Sequence, residues 1–198
     1  MDLKRYTHAD ARDVRSLLLG IHDEAYADSP DEFHSRERFA YFVDRWSSRE
    51  DWLCISGWEE GDPVGYAYGS MFKPGGWWKG HQRPREIKGS VFALSELMVV
   101  PKWRGAQRAQ VIHDALLDEV TAGVASLTVE IQRPRVQAMY ERWNYTKVGE
   151  AKPSDDSPTY AVMVRKLSTG TDAARAPQPQ DGVWSGPLSS PPQRLDRP

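Results

Sequence analysis

The chain reads as a mixed α/β protein built on one mostly antiparallel sheet flanked by helices. Two observations predict this. Segments with the helical 3.6-residue spacing alternate with extended runs along residues 1–167, and one long apolar strand stops at a proline immediately before a helix. At 198 residues, 39% hydrophobic and 27% charged, the chain has the material for one cored domain.

The elements follow in order. After a short extended start, Val14, Leu17, Leu18 and Ile21 fall at i, i+3, i+4 and i+7 of an amphipathic helix, with Thr7 and Asp10 forming a capping box before it. Phe39, Phe42, Val43 and Trp46 repeat the spacing behind Ser35 as N-cap. WLCISGWEE and PVGYAYGSMF read as a hairpin joined at Gly61-Asp62. A Gly/Pro/Trp-rich loop, KPGGWWKGHQRPREIKG, leads to VFALSELMVV, apolar on both alternating faces except at Ser95 and Glu96, as in a strand covered on both sides. A third helix starts near Ala106 with Ala109, Ile112, Leu116 and Val120 on one face, followed by the strand SLTVEIQ. Pro134 opens a fourth helix carrying Val136, Met139, Tyr140 and Trp143, and YTKVGEA and TYAVMVRKL close the domain as strands. The predicted order is β-α-α-β-β-β-α-β-α-β-β. From Ser168 to Pro198, proline, glycine, serine and glutamine replace apolar residues, and this segment is expected to be disordered.

Several function classes are disfavoured. A net charge of −2 leaves no broad basic footprint for nucleic acid or an anionic membrane. No apolar run reaches the roughly 18 residues that span a bilayer, and the first residues are polar, so the cytoplasm is the expected compartment. Cys54 is the single cysteine, which excludes an internal disulfide and a cysteine-based zinc cluster. His8, His22, His34 and His81 form no metal-ligand spacing, and His113 reads as packing or surface; no metal is expected.

The most informative window is VVPKWRGAQRAQVIHDALL. A buried strand, a proline, a glycine turn and a helix start leave free N–H groups and a positive dipole end, which suit a phosphate or diphosphate. Gly105 allows close backbone approach, and Arg104 and Arg108 are candidate partners for the anion. On this window alone, a purely structural turn is as good a reading.

The same passage resembles motif A of the GNAT superfamily of N-acetyltransferases, Q/R-x-x-G-x-G/A, with Arg104 first and Ala109 last. Gln107 stands where the motif has its middle glycine. The resemblance continues through AMYERWNYTKVG and covers roughly Asp2 to Leu167. It implies acetyl-CoA as co-substrate, an amine of a small molecule, peptide or natural product as acceptor, and direct attack of that amine on the thioester. It also implies that the backbone from Arg104 through Gly105, Ala106, Gln107, Arg108 and Ala109 cradles the CoA diphosphate. The backbone of Met98, Val99 and Val100 would pair with the pantetheine arm, with an N–H near Met98 meeting the oxyanion. Homodimers are common among such proteins.

An alkylammonium with a pKa near 10.4 is neutral in only on the order of one part in a thousand at pH 7, so a base is useful. Glu96, a lone carboxylate in an apolar strand, is the candidate base, because desolvation raises a carboxyl pKa. A carboxylate held by a buried arginine or backbone donors is the alternative. Tyr140 matches the family's helix-borne tyrosine and would protonate the departing thiolate; core packing is its alternative. Tyr26, Phe33, Tyr68, Trp77 and Trp78 are candidate acceptor contacts by the family layout. Glu130 and Arg133 replace asparagines found in many relatives, and Asn144 replaces a glycine. These departures, with Gln107, keep open a second reading: a CoA-binding or protein-interaction module without catalysis.

Overall fold

The computed structural model describes residues 1–27 and 35–167. The expected disorder of 168–198 and the candidate Phe33 lie outside the described residues. The strands are β1 (Asp2–Thr7), β2 (Leu53–Glu59), β3 (Asp62–Met71), β4 (Val91–Val99), β5 (Val124–Glu130), β6 (Thr146–Ala151) and β7 (Tyr160–Lys166). The helices are α1 (Ala11–Tyr26), α2 (Arg36–Ser47), α3 (Arg108–Asp118) and α4 (Pro134–Arg142). Their order along the chain is the one predicted. The strands form one sheet, β1-β2-β3-β4-β5-β7-β6, antiparallel throughout except for β4 beside β5.

Local chemistry explains the boundaries. The Thr7 backbone N–H and hydroxyl both donate to Asp10 Oδ2, at 2.8 and 2.9 Å, and start a 3₁₀ turn that runs into α1. Ser35 Oγ accepts from the Arg38 N–H at 3.4 Å and caps α2, and Pro134 occupies the first turn of α4. The β2–β3 hairpin pairs Glu59 with Asp62, so its turn residues are Glu60 and Gly61, not Gly61 and Asp62. Both have positive φ (53° and 88°), as a two-residue turn matching the sheet twist requires.

Two cores lie on opposite faces of the sheet. Val14, Leu18, Leu19 and Ile21 of α1 and Phe39 and Val43 of α2 pack on Trp52, Cys54, Tyr66, Tyr68, Met98 and Val100. Ile112, Leu116 and Leu117 of α3 and Tyr140 of α4 pack on Leu53, Ile55, Ala67, Phe92, Leu94, Val99 and Leu127. Phe42 departs from its expected place on the apolar stripe: it is exposed and meets Tyr41 edge-on, because Phe39 and Val43 already fill the contact with the sheet.

Two irregularities position the functional region. β4 and β5 are paired only over Val91–Ala93 and Val124–Ser126, after which the strands part and leave a gap in the middle of the sheet. In β4 the register slips: Gly69 faces Leu94 and Tyr68 faces Glu96, so Ser95 is an extra, bulged residue. Phe92 and Leu94 point into the α3/α4 core before the bulge, and Leu97 and Val99 do so after it. Glu96 therefore shares its face with Met98 and Val100, toward α1 and α2. Without the bulge, a carboxylate would enter the α3/α4 core.

Candidate active site

Glu96 lies just beyond the point where β4 leaves β5. Its side chain is half-buried and has no arginine or lysine ion pair among the described residues. Desolvation raises its pKa to about 7, an increase only partly offset by the Leu97 N–H beside the carboxyl. Around it stand tyrosines. Tyr66 and Tyr68 are fully buried, and Tyr26 and Tyr160 are half-buried. Burial raises the phenol pKa of all four, with the Glu96 charge adding to it; for Tyr26 the value reaches about 12. Tyr140 is buried too. Burial first, then the charges of Tyr145 and Glu96, push its pKa far up, so it is a neutral donor.

The structure thus brings Glu96, Tyr26 and Tyr140 into one electrostatic neighbourhood, joined by Tyr160, which the sequence reading missed. Tyr160 opens β7 directly opposite Glu130 in β5, and only that cross-strand register reveals it. Tyr68 is corrected. At 1% exposure and stacked on Tyr66 (5.8 Å), it is a core residue beneath Glu96 and not an exposed acceptor contact. Trp78 donates to Ser126 Oγ at 2.8 Å, beside the β4–β5 seam, whereas Trp77 is tied within its own loop by a bond to His81 Nδ1 at 2.9 Å. Glu130 pairs with Arg133 at 2.9 Å.

The backbone facing the gap also differs from expectation. The Val100 N–H donates to Val64 O at 3.0 Å, which places Val100, and by alternation Met98, in the β3 ladder. Leu97 and Val99 therefore present their main-chain groups to the gap, and the Val99 carbonyl indeed accepts from Arg104 Nε at 3.2 Å. Among the residues predicted to meet a pantetheine arm, Val99 has this orientation and Met98 and Val100 do not. The apolar strand hides its phase, and the bulge shifts it.

The turn after Pro101 is a cradle of N–H groups. Gly105, Ala106 and Gln107 all have positive φ (92°, 48° and 59°), and α3 begins at once. The N–H groups of Gly105, Ala106, Gln107, Ala109 and Gln110 have no acceptor among the described residues. They suit an anion at the positive end of α3. The Gln107 side chain is exposed and makes no hydrogen bond to the cradle. Arg108 is corrected: it forks onto Glu59 at 2.8 and 2.9 Å and stacks near Trp103, so its charge is already matched. Arg104 donates to the Val99 and Ala25 carbonyls. The cradle is thus mainly main-chain.

A sheet split between β4 and β5, with an anion cradle at the helix following β4, is an arrangement suited to an extended ligand that ends in an anion. The model for the acetyltransferase (GNAT) family matches residues 18–145, and the chain belongs to that family. No curated protein sequence matches it. Among solved structures, the chain resembles the aminoglycoside 6′-acetyltransferase type Ii (TM-score 0.58, 13% identity, 84% of this chain and 97% of that one). It also resembles a chain of the NatC complex bound to Gag peptide and CoA (TM-score 0.54, 14% identity, 85% and 100%). A third is the PaiA N-acetyltransferase of Thermoplasma acidophilum in complex with coenzyme A (TM-score 0.51, 13% identity, 84% and 100%). At these identities the likeness is one of fold. No helix among the described residues is long and apolar enough to cross a membrane.

Proposed function

We propose that the protein is an N-acetyltransferase that moves an acetyl group from acetyl-CoA to a primary amine of a small molecule, peptide or natural product. The observation that carries this reading is Glu96: a carboxyl without a cationic partner among the described residues, with its pKa raised to about 7, beside the gap that begins where β4 and β5 part. The diphosphate would rest on the N–H groups of Gly105, Ala106, Gln107, Ala109 and Gln110, and the pantetheine amides would pair with the gap-facing backbone of Leu97 and Val99 as a missing strand.

The chemistry follows from these groups. The ionised Glu96 takes a proton from the acceptor ammonium, and the freed nitrogen lone pair attacks the thioester carbonyl carbon. The carbonyl oxygen gathers negative charge beside the β4 backbone that faces the gap. The nitrogen of the tetrahedral adduct then gives its second proton to solvent water. When the adduct collapses, the C–S bond breaks and the sulfur takes a proton from Tyr140, which solvent reprotonates in turn, so the net release is the one proton held by Glu96. Tyr26 and Tyr160, both half-buried near Glu96, would flank the acceptor.

The test is an acetyl-CoA assay over a panel of amines, read as released thiol. Turnover is expected with kcat/KM rising with pH through a limb near 7 that disappears in Glu96→Gln. Tyr140→Phe is expected to lower kcat at least tenfold while the acetyl-CoA dissociation constant stays within about twofold. Binding of acetyl-CoA with no turnover on any amine would instead identify a CoA-binding module, and absence of binding removes both readings.

A further inference from the structure

The Tyr140 ring is enclosed by three others. Trp143 meets it edge-on at 5.4 Å, Tyr145 at 5.5 Å and 73°, and His113 lies 6.3 Å away. The Tyr140 hydroxyl has no hydrogen-bond partner among the described residues, so ring packing alone sets its direction. Two of the enclosing rings are joined to one another. His113 Nε2 is 3.0 Å from the Tyr145 hydroxyl, and its Nδ1 is 2.8 Å from Asp114 Oδ1, which also accepts from Arg165 at 3.1 Å.

The donor directions in this chain are determined. His113 is completely buried, and desolvation, opposed by Asp114, lowers its pKa, so the ring is neutral and carries one proton. A carboxylate can only accept, which assigns that proton to Nδ1 and leaves Nε2 as an acceptor. The Tyr145 hydroxyl must therefore donate to Nε2. Arg165 and His113 converge on Asp114, and Tyr145 hangs from His113 with a single orientation.

A polar chain of this kind, buried at its His113–Tyr145 end, is a weak source of stability, since apolar side chains of similar volume would fill that space as well. What it supplies is geometry. His113 and Asp114 belong to α3, whose first turn is the anion cradle; Tyr145 directly follows α4, which bears Tyr140; Arg165 is in β7. The network ties these three elements where the rings meet.

We infer that Tyr145 and His113 are positioning residues for Tyr140: their hydrogen bond fixes the Tyr145 ring, which in turn holds the edge-on Tyr140 ring in one orientation. This rests on the acid role proposed for Tyr140, and the experiment separates the two. Tyr145→Phe is made in the wild-type and the Tyr140→Phe backgrounds, and steady-state kinetics are measured for each. In the wild-type background kcat is expected to fall about tenfold with the KM for acetyl-CoA within about twofold. In the Tyr140→Phe background the further fall is expected to be less than about twofold, because the residue being aimed no longer carries its hydroxyl. Equal losses in the two backgrounds would indicate a general structural role and overturn the inference, as would full kcat in Tyr145→Phe alone. Because Tyr145→Phe strands the His113 nitrogen, the paired variant His113→Leu/Tyr145→Phe is measured too. It is expected to recover stability but not kcat, and recovery of both overturns the inference. Undiminished turnover in Tyr140→Phe removes the acid role and the inference together.

Discussion

Replacing Glu96 with glutamine keeps the shape of the side chain and removes its titration, so its effect on stability should depend on pH in a calculable way. The carboxyl pKa rises from 4.5 to about 7 on folding. The folded protein therefore holds a proton that the unfolded chain has lost between these values. Stability from this group is complete below about pH 4.5 and drains away as pH rises through about 7. Between pH 5 and pH 8 the loss is about 2.5 kcal/mol at about 1.4 kcal/mol per tenfold change, and about 2 kcal/mol after discounting the solvent that still reaches the carboxyl. Other titrating groups are shared by both proteins and cancel. Urea unfolding at the two pH values is the assay. The midpoint of Glu96→Gln relative to wild type should be about 1 M higher at pH 8 than at pH 5, for a slope near 2 kcal/mol/M. An equal offset at both values would mean that Glu96 is solvated like any surface carboxylate, and the case for it as a base would fall with it.

Other perturbations follow from the loop and the strands. Gln107→Gly relieves a left-handed residue (φ 59°), worth about 1–2 kcal/mol against about 0.4–1 of added unfolded-state freedom; a melting temperature about 2 °C higher is expected, and a lower one would contradict the backbone assignment. Arg108→Met leaves Glu59 without its fork and should lower the urea midpoint while calorimetry finds the CoA dissociation constant within about twofold; a tenfold weakening would return Arg108 to the anion site. Gly65→Ala drives a methyl into the Met98 carbonyl and to 3.0 Å from Val99 Cα, so β4 must shift; a loss of about 2 kcal/mol or more is expected, together with weaker CoA binding.

What was legible in the sequence was local. The capping pair Thr7 and Asp10, Pro134 at a helix start and the 3.6-residue stripes are written within a few positions of one another, and they gave every helix and strand in order. The family's motif pointed to the cradle, and the solitary charge in an apolar strand pointed to Glu96. What stayed hidden depends on neighbours remote along the chain. Nothing near Arg108 announces Glu59, 49 positions away. Tyr68 looks like an accessible aromatic until α1 and α2 cover it. The bulge at Ser95 is invisible because its neighbours are apolar on both faces, yet it decides which backbone groups face the gap. Tyr160 joins the site only through its pairing with Glu130.

The parting of β4 from β5 also makes a statement about solvent exchange. Leu97 and Val99 are strand residues in the middle of a covered sheet, where amide protons are normally among the slowest to be lost. With β3 on their other side and no strand across the gap among the described residues, their N–H groups lack a ladder acceptor (Leu97 has only the Glu96 carboxyl beside it), and their deuterium uptake should resemble that of a loop. Addition of acetyl-CoA should slow it sharply at these two positions, so that the nucleotide thioester registers as a temporary eighth member of the sheet.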